Sequence, residues 1–138
     1  MSEKQIHLLH IEDDGVDKMV VERVLKKLNI VSSLHHAQNG EEALDKLRGT
    51  NGHEKLSPFP QIILLDINMP RMNGKEFLAT VKQIDKYCKV PIIVYSTSSQ
   101  AEEKKEVFAL GATDYMVKHK SFTELCGELD YMIAKNLS

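Results

Sequence analysis

Ile62-Ile63-Leu64-Leu65-Asp66-Ile67-Asn68-Met69-Pro70 drives an apolar run of four residues into a carboxylate, and a proline closes the segment. A strand this apolar is buried on both faces, as strands inside a parallel sheet are. Asp66 then stands at the carboxyl edge of that sheet, where open α/β folds place their chemistry. The pattern occurs once before, where Ile6-His7-Leu8-Leu9-His10-Ile11 runs into Glu12-Asp13-Asp14. Two strands delivering four acids to one edge is costly unless a cation or a reaction uses them.

Outward from this stretch, short apolar runs alternate with longer helical patterns. Strands are expected at 6–11, 31–37, 62–66, 91–95 and 114–117, and helices at 16–28, 40–48, 74–85, 99–110 and 121–136. Asn39-x-x-Glu42, Asn73-x-x-Glu76, Ser99-x-x-Glu102 and Ser121-x-x-Glu124 read as capping boxes at helix starts. Gly49 and Gly111 follow helical stretches, where a C-terminal glycine belongs. Five βα units in succession predict an α/β protein with a doubly wound parallel sheet and helices on both faces. Right-handed crossovers favour the flavodoxin-like order 2-1-3-4-5. The one long loop, 49–61, is polar and punctuated by Pro58 and Pro60. One domain spanning 1–138, with a core of about 5–133 and no output domain after it, is the expected organisation.

At 138 residues the chain can bury a core without staples. Apolar content of 42% and charged content of 28% place it among soluble globular proteins, and a net charge of −2 gives no reason to expect nucleic-acid binding. Cys88 and Cys126 lack metal-like spacing and read as free thiols of a reducing compartment. No apolar run approaches the roughly 18 residues of a membrane span. Ile6–Ile11 is too short for a signal peptide's apolar region, so a cytoplasmic location is expected.

In a doubly wound sheet the ends of strands 1 and 3 are neighbours, which brings Glu12, Asp13 and Asp66 together. Carboxylates that close repel and raise one another's pKa. A hard divalent cation relieves this, and Mg²⁺ prefers one or two carboxylates with waters and a phosphate oxygen. A carboxylate beside such a metal can form an aspartyl-phosphate, which needs little beyond positioning and charge neutralisation. Strand 4 ends in Ser96-Thr97-Ser98-Ser99, hydroxyls able to bond a phosphoryl oxygen, and strand 5 ends at Lys118, a cation of sufficient reach. His35 and His36 are adjacent on a strand, point to opposite faces and cannot chelate together.

From about Gln5 to Ile133 these residues resemble the receiver domains of two-component response regulators, of the stand-alone, chemotaxis-regulator-like kind. Glu12-Asp13 matches the family's acidic pair, and Asp66-x-Asn68-Met69-Pro70-x-Met72-x-Gly74 follows its signature. The resemblance implies Asp66 as phosphoacceptor, and Mg²⁺ (or Mn²⁺) held by Asp13, Asp66, the backbone carbonyl of Asn68 and, through water, Glu12. Lys118 matches the invariant lysine and Tyr115 the aromatic switch position. Ser96 lies five residues after Pro91, fifteen before Gly111 and twenty-two before Lys118, which is the family's spacing for the switch hydroxyl. Asn68 and Ser98, two residues past Asp66 and Ser96, are implied to tune the phosphoryl lifetime. Asp14 is expected to be an exposed or helix-capping acid.

The implied partners are a sensor histidine kinase or phosphotransfer protein as donor, and a downstream protein or a second copy of the chain at the helix 4–strand 5–helix 5 face. Val16, Met19, Val20 and Arg23 are candidates for the kinase-docking surface or for plain core. The implied switch has Ser96 move towards the phosphoryl group, vacating volume for the Tyr115 ring. Such a protein modifies itself and is not a turnover enzyme. Two rivals stay open: a degenerate receiver acting only as a scaffold, and a small phosphatase of the haloacid-dehalogenase type. The latter wants Asp-x-Asp-Gly where this chain has Asp66-Ile67-Asn68-Met69. A flavin module is weaker, because no glycine-rich phosphate loop follows strand 1. Two features depart from the family pattern. His119 stands where a cis-proline is usual, and a cis bond there costs roughly 2.5–4 kcal/mol, so a trans bond and a shifted loop are expected, with Lys118 still reaching the site. The loop 49–61 is long and resembles that of stand-alone receivers partnering phytochrome-type sensor kinases.

Overall fold

The computed structural model describes residues 6–67, 69 and 72–137. The elements alternate as β1 (Ile6–Ile11), α1 (Gly15–Leu28), β2 (Val31–Ala37), α2 (Gly40–Arg48), β3 (Ile62–Leu65), α3 (Gly74–Val81), β4 (Ile92–Ser96), α4 (Ala101–Ala109), β5 (Asp114–Val117) and α5 (Phe122–Leu137). The strands form one parallel sheet of order β2-β1-β3-β4-β5, as the βα alternation predicts. All four residues of β3 are buried because helices cover both faces of this central strand.

The sheet divides the core into two slabs. Leu9, Ile11, Ile63, Leu65 and Val94 pack with Leu44, Leu47, Phe77, Leu78 and Val81 of α2 and α3. Leu8, Ile62, Leu64, Ile93 and Tyr95 pack with Val21, Val24 and Leu25 of α1 and with Leu125, Leu129 and Ile133 of α5. Burial of each such side chain is worth about 1.5–3 kcal/mol, which fixes the register of every strand end.

Local chemistry sets the helix boundaries. Asp14 caps α1, accepting the N–H groups of Val16 at 2.8 Å and Asp17 at 3.2 Å. Full capping boxes start α3, between Asn73 and Glu76, and α5, between Ser121 and Glu124. At α2 the box is half formed: Asn39 accepts the Glu42 N–H, but Glu42 turns to the N–H of Gln38. The Ser99 box does not form. α4 begins at Ala101 after Gln100, with no side-chain cap, while Ser98 Oγ accepts the Gln100 N–H at 3.2 Å. Helix α3 ends at Val81, short of the expected 85, and the chain continues in tight turns. These turns swing Tyr87 into the core, where its ring stacks on Phe59 at 5.0 Å and its hydroxyl donates to the Leu47 carbonyl at 3.0 Å. The long loop is thereby pinned at Phe59 to the first of the two slabs, the one that α2 and α3 cover.

Candidate functional site

The register carries four strand ends to one edge. Ile11 pairs with Leu65, so Glu12 and Asp66 follow side by side, and the Asp66 N–H donates to the Ile11 carbonyl at 3.0 Å. Ser96 pairs with Val117, and the Lys118 N–H donates to the Ser96 carbonyl at 2.7 Å. Gly74, the first residue of α3, lies against the turn after β3: a Cβ there would meet the Asp66 carbonyl oxygen at 2.5 Å and the Ile67 Cα at 2.6 Å. Only glycine lets α3 approach the acid loop so closely.

Glu12, Asp13 and Asp66 each offer a carboxylate oxygen within 4.8 Å of the others, with Glu12 and Asp66 buried and Asp13 exposed. Lys118 is 7% exposed, and its Nζ lies 2.9 Å from Glu12 Oε1, 2.8 Å from Asp17 Oδ2 and 3.5 Å from Asp66 Oδ1. The Glu12 Oε1 contact is ionic, without hydrogen-bond geometry; the hydrogen bond runs to Glu12 Oε2 at 3.2 Å. Nζ also faces the Tyr95 ring, 5.4 Å from its centre.

The titration of these groups follows their surroundings. Burial pushes the Glu12 carboxyl up, against the pull of Lys118 and Asp66. Burial on its own lowers the Lys118 ammonium, but Asp17, Glu12 and Asp66 outweigh it and hold the pKa above the ordinary lysine value. Burial pushes the Tyr95 hydroxyl up to about 12, with Asp17 adding to it. His10, behind Glu12 at 3.7 Å, is pushed down to about 3 by burial and then by the Lys118 charge, and is neutral.

A pocket of about 200 Å³ opens over the acids, lined by Glu12, Asp13, Asp14, Asp17, Asp66, Thr97, Lys118 and His119. That is below the roughly 300 Å³ at which organic-ligand clefts begin, and suits a small charged group far better than a flavin. A larger cavity of about 420 Å³ under α1, lined by His10, Lys18, Glu22, Lys26, Leu34 and His36, lacks the acid cluster. The donor set, all carboxylate oxygen with one buried oxygen outside any hydrogen bond, fits a hard divalent cation.

Ser96 is fully buried, and its hydroxyl donates to Glu103 Oε2 at 3.0 Å, while Thr97 forms the pocket wall. Tyr115 is buried too, with its hydroxyl 2.8 Å from the Ser98 carbonyl. Asn68 lies outside the described residues. Among the described residues the one cis peptide precedes Pro58, so the 118–119 bond is trans, and His119 absorbs the turn at φ 73°. Val16 and Met19 are 68% and 51% exposed beside this edge, whereas Val20 packs against the core.

Sequence reasoning did not single out Asp17 or Glu103. Each occupies the first turn of a helix that leaves the site edge, so an acid at that turn is the signal that finds both.

The profile of the response regulator receiver domain matches residues 8–130. The chain belongs to this family. The receiver is 31% identical over 118 residues to response regulator Rcp1 of Synechocystis, covering 86% of this chain and 80% of the relative. The solved structure of the Mn²⁺-bound form of Rcp1 superimposes with a TM-score of 0.81 at 29% identity, covering 92% of this chain and 91% of that one. The structure of the phosphorylated cyanobacterial phytochrome response regulator RcpA gives 0.84, covering 99% and 96%; at 24% identity it shows the shared fold. The receiver is also 36% identical over 135 residues to a protein-glutamate methylesterase/protein-glutamine glutaminase of Methanospirillum hungatei. It spans 96% of this chain but only 37% of that enzyme. Members of the family typically take a phosphoryl group on an aspartate, and they bind a divalent metal. No described helix of this receiver is long and apolar enough to cross a membrane.

Proposed function

We propose that the chain is a cytoplasmic response regulator that accepts a phosphoryl group on Asp66 and signals by changing its protein contacts. The observation that carries this reading is the meeting of Glu12, Asp13 and Asp66 within 4.8 Å, with Lys118 Nζ 3.5 Å from Asp66. Asp13, Asp66 and the Asn68 carbonyl would hold Mg²⁺ directly, and Glu12 through water; when bound, the ion supplies charge neutralisation for the transferring group.

A phospho-histidine on a sensor kinase or phosphotransfer protein presents its phosphorus in line with an Asp66 oxygen. The new P–O bond forms as the P–N bond breaks, and the departing imidazole takes up a proton. Lys118, charged at any physiological pH, offers a proton donor to an equatorial oxygen, and the Ser96 hydroxyl offers another. Water later cleaves the acyl phosphate, and Asn68 and Ser98, two residues past Asp66 and Ser96 respectively, would tune the lifetime. The protein turns over no external substrate.

Val16 and Met19, exposed at the rim, suit docking of the donor. The long loop 49–61 and the likeness to Rcp1 support a kinase of the phytochrome type. Tyr115, as the switch aromatic, would pass the change to the α4–β5–α5 face, where Phe108 and Tyr131 are exposed for a target or a second copy.

Incubation with Mg²⁺ and a small phosphodonor, followed by intact-mass measurement, tests the central claim. A phosphoryl adduct is expected on wild type and none on Asp66→Asn. An unmodified wild type, or equal adducts on both, overturns it.

A further inference from the structure

Glu103, in the first turn of α4, joins the two hydroxyls that the sequence singles out separately. Its Oε2 accepts from Ser96 Oγ at 3.0 Å, and the same oxygen accepts from Tyr115 Oη in a short contact. The backbone of Ser98 closes the cluster, its N–H donating to Ser96 Oγ at 3.1 Å and its carbonyl lying 2.8 Å from Tyr115 Oη. Ser96 is 0% exposed and Tyr115 9%, so water competes little for these bonds.

A serine hydroxyl carries one proton. While that proton is directed at Glu103, no oxygen on Asp66 can receive it. The geometry points to Glu103 as a positioning residue that holds the Ser96 proton away from Asp66 and must release it for the phosphorylated site to form. This rests on Asp66 being the phosphoacceptor. Capture of Ser96 by a phosphoryl oxygen breaks the Ser96–Glu103 bond and leaves the Glu103 carboxylate with Tyr115 alone. A hydrogen bond to a charged acceptor is worth about ten- to a hundredfold in an equilibrium constant, so Glu103 opposes phosphoryl capture by a factor of that order.

The exchange also explains how the chemistry reaches α4. Val107 is the one buried residue of this helix, and the Lys75–Glu106 contact at 2.7 Å ties its far turn to α3. Its first turn is tied to the site through Glu103, and Lys104 Nζ lies 5.5 Å from the centre of the Tyr115 ring. Loss of one Glu103 bond therefore loosens the first turn selectively.

The full chain is incubated with Mg²⁺ and acetyl phosphate, and the adduct formation rate is read by intact mass. Glu103→Ala and Glu103→Gln are compared in the wild-type and Ser96→Ala backgrounds. With Ser96 present, Glu103→Ala is expected to speed adduct formation about tenfold and Glu103→Gln by less, because the amide still accepts but without charge assistance. With Ser96→Ala, both are expected to change the rate less than about twofold, since nothing remains to be released. Equal effects in the two backgrounds, or no acceleration with Ser96 present, overturn the proposal. Should Glu103→Ala fail to fold, the isosteric Glu103→Gln carries the same comparison. A wild type that takes no phosphoryl group, or an Asp66→Asn that does, indicts the phosphoacceptor reading instead.

Discussion

Asp13 is exposed while Glu12 and Asp66, its partners in the acid cluster, are buried, and this asymmetry sets what each substitution does. Replacing Asp13 by Asn removes one repelling charge without opening the core, so in chelator the variant is expected to melt no lower than wild type. In Mg²⁺ at ten times its dissociation constant, wild type gains about 1.4 kcal/mol, a rise of a few degrees, and Asp13→Asn is expected to lose that rise. Scanning calorimetry with and without Mg²⁺ checks this; an equal rise in both proteins removes Asp13 from the ligand set. Asp66, Asp13 and Lys118 were legible because a strand-terminal acid, an acidic pair and a strand-terminal lysine sit at fixed places in a repeating βα pattern. Asp17 and Glu103 were not, since a helix first turn favours an acid for its own reasons and the contact each makes is tertiary. The turn of Ser96 towards Glu103 is likewise a rotamer, on which a spacing argument is silent.

At the scale of elements, the fit of α3 against the acid loop is the tightest constraint near the site. Gly74→Ala places a methyl 2.5 Å from the Asp66 carbonyl oxygen, a backbone atom that no side-chain rotation can relieve. It is expected to cost about 1–3 kcal/mol in denaturant unfolding and to disturb Asp66 itself, although alanine is the better helix former. A variant as stable as wild type would mean that α3 shifts freely. Element order and sheet topology followed from apolar runs and caps, while the ends of α3 and α4 departed from expectation. Tertiary packing of Tyr87 stops α3, and Ser98, already engaged with Gln100, delays α4.

For the whole molecule, acid stability depends on a group with no part in the proposed chemistry. His10 is buried with both ring nitrogens outside any hydrogen bond, and its pKa is lowered to about 3. The unfolded chain, with an ordinary histidine near 6.5, binds the proton more tightly. This contribution is therefore present above pH 6.5 and lost as pH falls towards 3, up to about 5 kcal/mol at 1.36 kcal/mol per unit. Glu12, whose pKa is raised, works in the reverse sense, so the comparison is the stability of wild type minus that of His10→Leu as a function of pH, in chelator. That difference is expected to fall on acidification from pH 6.5; a flat difference would mean that His10 is protonated in the fold. The two slabs of core are also unequally shared among the helices. α4 inserts Val107 alone among its nine residues, where α2 and α3 each bury four. Most of α4 can thus be rewritten by mutation at almost no folding cost, provided Val107 and Glu103 stay. A lineage of such proteins is free to trade one recognition surface for another while inheriting the same reaction centre unchanged.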